Sequence, residues 1–166
     1  MGLFDIFKSE ERIEENYNSK TIKTLYDIFT LDLENLPDDS FTKGETEKNE
    51  SSDYLTNYRK NLNPKELGLF DSLEIKVFEN SKGKNFIFGG YNFNTGDIYK
   101  VQQLIDNLFL INGTDDLNAG KFTKHDESDL KSDYWTGRMW CEEKYTTGVM
   151  IAFDSDTGLS MTIWTK

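Results

Sequence analysis

The residues of this chain that could support metal chemistry lie in its last third. His125 is the only histidine among the 166 residues. If the segment from His125 to Asp129 is helical, these two side chains lie one turn apart, as the first two ligands of a metal site would. Asp154 to Gly158, with the sequence DSDTG, imitates the opening of a calcium loop. It lacks the later acidic ligands of that loop, and Asp and Gly are also common in hairpin turns, so we expect no metal at either place.

Nucleophilic and acid–base chemistry find equally little support. Cys141 is the only cysteine, which excludes an intramolecular disulfide framework and a cysteine-based zinc site. Its position in an alternating segment predicts a small residue on the buried face of a strand. Glu142 and Glu143 are neighbours on that strand and would point to opposite faces, so they cannot form a catalytic pair. With no glycine-rich phosphate-binding pattern present, the sequence predicts no catalytic residue and no cofactor.

An aromatic and acidic stretch gives the more specific prediction. Trp140 alternates with Met139 and Cys141, which predicts that it lies on the solvent face of its strand. An exposed tryptophan framed by charges is typical of a binding hot spot, although a covering helix or loop is the alternative. The predicted partner-binding residues are Trp140, Trp135, Tyr134, Asp115, Asp116, Asp126, Glu127, Asp129 and Asp133.

The charge balance indicates the kind of partner. The chain has 30 acidic and 19 basic residues, a formal net charge of −11, spread along its whole length. A negative surface disfavours nucleic acid and anionic membranes and favours basic partners. We therefore expect a non-catalytic acidic binding protein, most concretely an inhibitor or immunity-type protein that neutralises a basic partner such as a nuclease toxin. The alternative is a small enzyme or ligand-binding domain with a pocket between the sheet and the central helix.

The sequence also carries expectations about location. The first residues, MGLFDIFK, do not match a secretory signal, and no segment approaches the length of a membrane span. A cytoplasmic protein without a membrane anchor is expected.

A central helix from Thr95 to Gly113 is the strongest structural signal. Its apolar residues recur every three or four positions, at Ile98, Val101, Leu104, Ile105, Leu108, Phe109 and Ile111. Thr95 is the predicted N-cap, and Gly113 provides the left-handed residue that ends a helix.

Period-two patterns on both sides of this helix predict strands. Leu73, Ile75 and Val77 alternate with charged residues, and a return strand follows with an expected β-bulge at Gly89–Gly90. In the last hairpin, placing Phe153 opposite Leu159 also places Ile151 opposite Met161 and Val149 opposite Ile163, so one face is apolar throughout.

Together these elements predict one α+β domain over residues 1–166. It contains an antiparallel sheet of about five strands, arranged as hairpin-like units around the central helix, with helices covering one face. Residues 38–53 are expected to form a polar flexible loop because they contain one large apolar residue. A short helix is expected from Tyr54 to Leu62, and two further helices within residues 1–34.

Overall fold

The structure is a computed structural model that describes residues 35–51, 53–63, 68–141 and 148–165. Within these ranges the strands are β1 (Thr42–Lys48), β2 (Tyr54–Asn61), β3 (Ser72–Phe78), β4 (Lys84–Gly90), β5 (Tyr134–Cys141), β6 (Gly148–Asp154) and β7 (Gly158–Thr165). The helices are α1 (Ile98–Asn112), preceded by one 3₁₀ turn (Thr95–Asp97), and α2 (Lys124–Leu130). The two helices expected within residues 1–34 lie outside the described residues.

All the described strands form one antiparallel sheet, which confirms the α+β class. The sheet has seven strands in the order β1-β2-β3-β4-β7-β6-β5, not about five. Two meanders, β1 to β4 and β5 to β7, are joined where β4 pairs with β7. The segment that contains α1 and α2 leads from β4 to the far edge of the sheet, where β5 begins.

The two strands that were not expected are β1 and β2. The predicted flexible loop at residues 38–53 is wrong over Thr42–Lys48, which form β1, and every residue of β1 is exposed. The predicted helix from Tyr54 to Leu62 is wrong because Tyr54–Asn61 form β2, which pairs with β3 from Leu55 to Asn61. Asp53 ties the turn before β2 to the next hairpin, since its carboxylate accepts hydrogen bonds from the backbone N–H groups of Asn80 and Ser81.

The β3–β4 hairpin forms as expected, except at its end. Leu73 and Ile75 are buried and pair with Phe88 and Phe86, also buried. No bulge occurs at the glycine pair, because Gly89 and Gly90 continue regular pairing with β7. The strand ends at Gly90 instead, and the chain turns away from the sheet.

The central helix is confirmed, with a different N-terminal cap. Asn94, not Thr95, accepts a hydrogen bond from Gly96 N–H and caps the 3₁₀ turn that leads into α1. At the other end, Gly113 has a φ of 78° and donates its N–H to the carbonyl of Phe109. The buried stripe of α1 consists of Ile98, Val101, Leu104, Ile105 and Leu108.

This stripe packs on one face of the sheet, here called the covered face. The pairs expected in the last hairpin, Phe153 with Leu159, Ile151 with Met161 and Val149 with Ile163, are all present. Their apolar members form a single core with α1, and the described helices lie on this face. Burial of apolar surface between α1 and the sheet is therefore the main stabilising contribution to this part of the molecule.

Candidate binding surface

The predicted binding surface contains an internal ion pair. Arg138 is only 2% exposed, and its guanidinium donates to both carboxylate oxygens of Asp126, at 2.9 and 3.0 Å. Its remaining donors reach the carbonyls of Gly120, Lys121 and Gly137. Since all five N–H groups have an acceptor, the buried charge is fully satisfied within the chain.

Asp126 is held by more than Arg138. The buried Trp135 indole N–H donates to Asp126 Oδ1 at 2.8 Å. Thr123, the N-cap of α2, forms a capping box with Asp126, which fixes the carboxylate at the start of the helix. Although burial opposes the charged form, hydrogen bonds from Arg138, Trp135 and Thr123 outweigh it and lower the pKa of Asp126 to about 2. Asp126 and Trp135 are therefore buried, and their expected exposure at a binding surface is wrong.

Asp115 and Asp116 organise the loop between the two helices. Asp115 is buried, and its carboxylate accepts from the N–H groups of Ala119 and Gly120, which positions the Gly120 carbonyl toward Arg138. Asp116 lies along the edge of β5, where its N–H donates to the carbonyl of Met139 at 2.7 Å. Its carboxylate accepts from the N–H of Cys141 at 2.7 Å. This loop therefore covers an edge strand that would otherwise present unpaired backbone groups.

Trp140 is also buried, so its predicted place on the solvent face is wrong. Its side chain is 5% exposed, stands edge-on to Phe109 of α1 at a ring separation of 5.3 Å, and donates to the Gly113 carbonyl. The reason is a bulge between Trp135 and Arg138, which shifts the alternation by one residue. At the bulge Gly137 has a φ of 76°, and a Cβ there would lie 1.7 Å from the Ile151 carbonyl oxygen.

The bulge places Met139 and Cys141 on the face opposite the covered face, where both are half-buried. The predicted core position of Cys141 is therefore wrong. Its Sγ lies 3.1 Å from Asp116 Oδ2. Burial, followed by the contact with the Asp116 carboxylate, raises the pKa of the Cys141 thiol to about 11.

We predict that Cys141 reacts slowly with thiol reagents. A pKa of about 11 leaves far less thiolate at pH 8 than an ordinary cysteine has, so iodoacetamide should react about 100-fold more slowly than with free cysteine. The rate, followed by mass spectrometry in native buffer, should rise to that of free cysteine when the protein is unfolded in urea. Native reaction as fast as that of free cysteine would contradict the raised pKa.

Five of the predicted residues remain at the surface or partly so. Tyr134, Asp133 and Asp116 are exposed, while Glu127 and Asp129 are partly exposed on α2. Glu127 pairs with Lys131, and the His125 ring nitrogen lies 3.2 Å from Asp129. The helical spacing expected for these residues is thus present.

No metal centre is formed by the described part of the chain, where no three His, Cys, Asp or Glu side chains are grouped to hold an ion. In the β6–β7 turn, Asp154 accepts a hydrogen bond from the N–H of Asp156, as an aspartate commonly does in a hairpin. The contact between α1 and the sheet is filled by buried apolar side chains such as Val101, Leu108 and Phe88. The alternative of a ligand pocket at this place therefore gains no support.

A second group of exposed residues was not expected from the sequence. Tyr91, directly after β4, is the most exposed large apolar side chain in the described ranges, at 73%. It lies at the same end of the sheet as Tyr134 and the β6–β7 turn. The sequence feature that could have indicated this exposure is the glycine pair directly before Tyr91, where the chain leaves the sheet.

Comparison with known proteins gives no relative: no family model, no curated protein and no solved structure matches the chain. No helix in the described residues is both long and apolar enough to cross a membrane.

Proposed function

We propose that this chain is a non-catalytic binding protein whose acidic surface docks on a basic protein. The observation that carries the proposal is the distribution of ion pairs. Five basic side chains of the described part are already held by carboxylates of the same chain: Arg59, Lys76, Lys100, Lys131 and Arg138. They are therefore poorly placed to offset the acidic surface toward a partner.

Many exposed carboxylates have no such partner. Within the described ranges, the exposed acids that form no ion pair are Asp38, Asp39, Glu45, Glu47, Glu50, Glu79, Asp106, Asp116, Asp133 and Asp156. The exposed lysines that form none are fewer: Lys43, Lys48, Lys82, Lys121 and Lys124. With the formal net charge of −11, this leaves a negative field that a basic partner would neutralise.

The most concrete form of the proposal is an inhibitor or immunity-type protein for a basic enzyme such as a nuclease toxin. Carboxylates would occupy positions that a nucleic-acid phosphate otherwise takes, and long-range attraction would speed the encounter. The side chains of Asp126, Arg138 and Trp140 are buried and hydrogen-bonded within the chain, which supports a rigid scaffold without a catalytic centre. The acids that remain outward are the binding groups.

The test has two steps. Immobilised full-length protein is first used to capture partners from a cell lysate, and each captured protein is identified and purified. Its association rate is then measured by stopped flow between about 50 mM and about 500 mM salt, where we expect a fall of tenfold or more, because screening weakens steering.

A charge variant provides the control for this measurement. Replacing Glu45, Glu47, Glu50 and Glu79 by glutamine removes four exposed charges without touching the core. The variant should bind more slowly at low salt and show a shallower salt dependence. A captured partner that is itself acidic, or an association rate unaffected by salt, would contradict the proposal.

A further inference from the structure

Two exposed tyrosines lie at the end of the sheet where β4 and β6 finish and β5 and β7 begin. Tyr91 is 73% exposed and Tyr134 is 59% exposed. With Asp133, Asp154 and Asp156 they form what is called here the tyrosine–aspartate surface. Tyrosines are enriched at recognition sites because the ring supplies contact area at little conformational cost.

Three chain segments are locked together at this surface. Tyr134 is the cross-strand partner of Asp154, so their side chains share one face of the sheet. The N–H of Ser155 donates to the carbonyl of Asp133 at 2.9 Å. Gly158 lies so close to the β4 end that a Cβ there would be 2.8 Å from the Cα of Tyr91.

The loop that carries Tyr91 is also anchored. The ring of Phe93 packs on the ring of Phe153 in β6 at 5.5 Å, which holds residues 91–97 against the sheet. The tyrosines are thus presented by fixed backbone, and little order has to be gained when a partner binds.

The charge of this surface has one sign. Residues 90–97, 132–134 and 154–158 contain Asp97, Asp133, Asp154 and Asp156 but no lysine or arginine. Asp97 already forms an ion pair with Lys100. The other three carboxylates form no ion pair with another described residue, and they surround the tyrosine rings with negative charge.

We propose that the tyrosine–aspartate surface binds an extended basic segment of the partner protein. The inference rests on the proposed function, since it assigns the place and the form of the basic partner. The rings of Tyr91 and Tyr134 bind guanidinium or ammonium groups by cation–π contact, and the three aspartates pair with neighbouring charges.

The spacing of the tyrosines defines the length of this segment. Three strand-to-strand steps, from β4 through β7 and β6 to β5, separate Tyr91 from Tyr134. At about 4.8 Å a step this is roughly 14 Å, the length of about four residues of extended chain. Basic side chains four positions apart therefore reach both rings.

The chain offers a matched control for the tyrosines. Tyr99, in the first turn of α1, is 54% exposed, close to the value for Tyr134. Its ring already has the ammonium of Lys100 at 5.9 Å, and it lies outside the tyrosine–aspartate surface. The substitution Tyr99→Ala therefore tests whether any exposed tyrosine can bind a basic segment.

The experiment titrates isotope-labelled full-length protein with acetylated, amidated hexa-arginine at low salt and follows backbone amide shifts. We expect the largest shifts at Tyr91, Tyr134 and Asp156. The double substitution Tyr91→Ala and Tyr134→Ala should weaken binding by about tenfold or more, whereas Tyr99→Ala should change it by less than about twofold. Should the double variant fail to fold, Asp156→Asn against Asp106→Asn provides the same comparison with exposed acids.

The outcomes separate this inference from the proposed function. Shifts concentrated on the β1–β2 and β3–β4 turns, at Glu47, Glu50 and Glu79, would overturn the assigned surface while leaving an acidic binding protein. Equal loss of binding in Tyr99→Ala and in the tyrosine double variant would also overturn it. An absence of any binding at low salt would count against both.

Discussion

Replacing Asp126 by alanine is expected to lower the free energy of unfolding by about 3–5 kcal/mol. The substitution leaves the Arg138 guanidinium buried without a counter-charge, and it removes the acceptor for the Trp135 indole and the Thr123 cap. Urea unfolding followed by tryptophan fluorescence measures the change.

The control for this substitution lies on the same helix. Asp129→Ala removes a partly exposed carboxylate whose partner, His125, lies at the surface, so we expect a loss below about 1 kcal/mol. If the two variants are equally stable, the buried ion pair does not hold α2 on the sheet. Joint replacement by Asp126→Leu and Arg138→Met should restore part of the stability, because neither charge is then left alone.

The same carboxylate makes stability depend on pH in acid. The pKa of Asp126 is lowered from an ordinary 3.8 to about 2 in the folded state, so the folded protein binds its proton less readily than the unfolded chain does. Its contribution is therefore present above about pH 4 and is lost as the pH falls through about 2. A shift of this size corresponds to about 2 kcal/mol. Asp126→Asn should lack this part of the acid destabilisation, and an unchanged acid profile would contradict the assignment.

Trp140→Ala is expected to destabilise the protein by a similar amount, about 3–5 kcal/mol. The indole fills the space between α1 and the sheet beside Phe109, and its N–H bonds to the Gly113 carbonyl at the helix end. The melting temperature should fall by about 10 °C or more. A binding anchor at the surface would behave differently, since its loss leaves the melting temperature nearly unchanged.

Two variants bracket that prediction. Trp140→Phe keeps most of the packing and leaves the Gly113 carbonyl without its donor, so a loss of about 1–2 kcal/mol is expected. Tyr134→Ala, at an exposed position in the same strand, should stay within about 0.5 kcal/mol of the wild type. A melting temperature that barely changes in Trp140→Ala would contradict the buried position of this side chain.

The parts of the fold that could be predicted are the helices and strands that bury one face and expose the other. Leu104 and Leu108 recur at helical spacing because α1 packs on one face only. The register of Ile151 with Met161 follows from alternation and a short turn, since a slip by one residue would expose the whole apolar set.

The missed strands lacked this signal. Every side chain of β1 is exposed, so no alternation of apolar and polar residues marks it as a strand. In β2 the spacing of Tyr54, Tyr58 and Leu62 imitates a helix, although β2 pairs as a strand on both sides. In β2, pairing with neighbouring strands overrides the local spacing.

The candidate site was harder to predict because charge pairing is invisible in a linear sequence. Asp126 and Arg138 are twelve residues apart and meet only because the chain turns between α2 and β5. The spacing of Thr123 and Asp126 was a usable signal, since it fits a capping box and so assigns the carboxylate to a helix start. The available signal for the bulge that turned Trp140 inward was Gly137, since a glycine inside a strand often marks a bulge.

The junction between β4 and β7 has a consequence for how the chain reaches this structure. Each meander forms from neighbouring segments, but β4 and β7 pair across a long stretch of sequence, as in the hydrogen bond between Thr165 and Lys84, which are 81 residues apart. Closing so long a loop costs entropy before any contact repays it. The two meanders should therefore form early, and the pairing of β4 with β7 should set the overall folding rate, as in other proteins of high contact order.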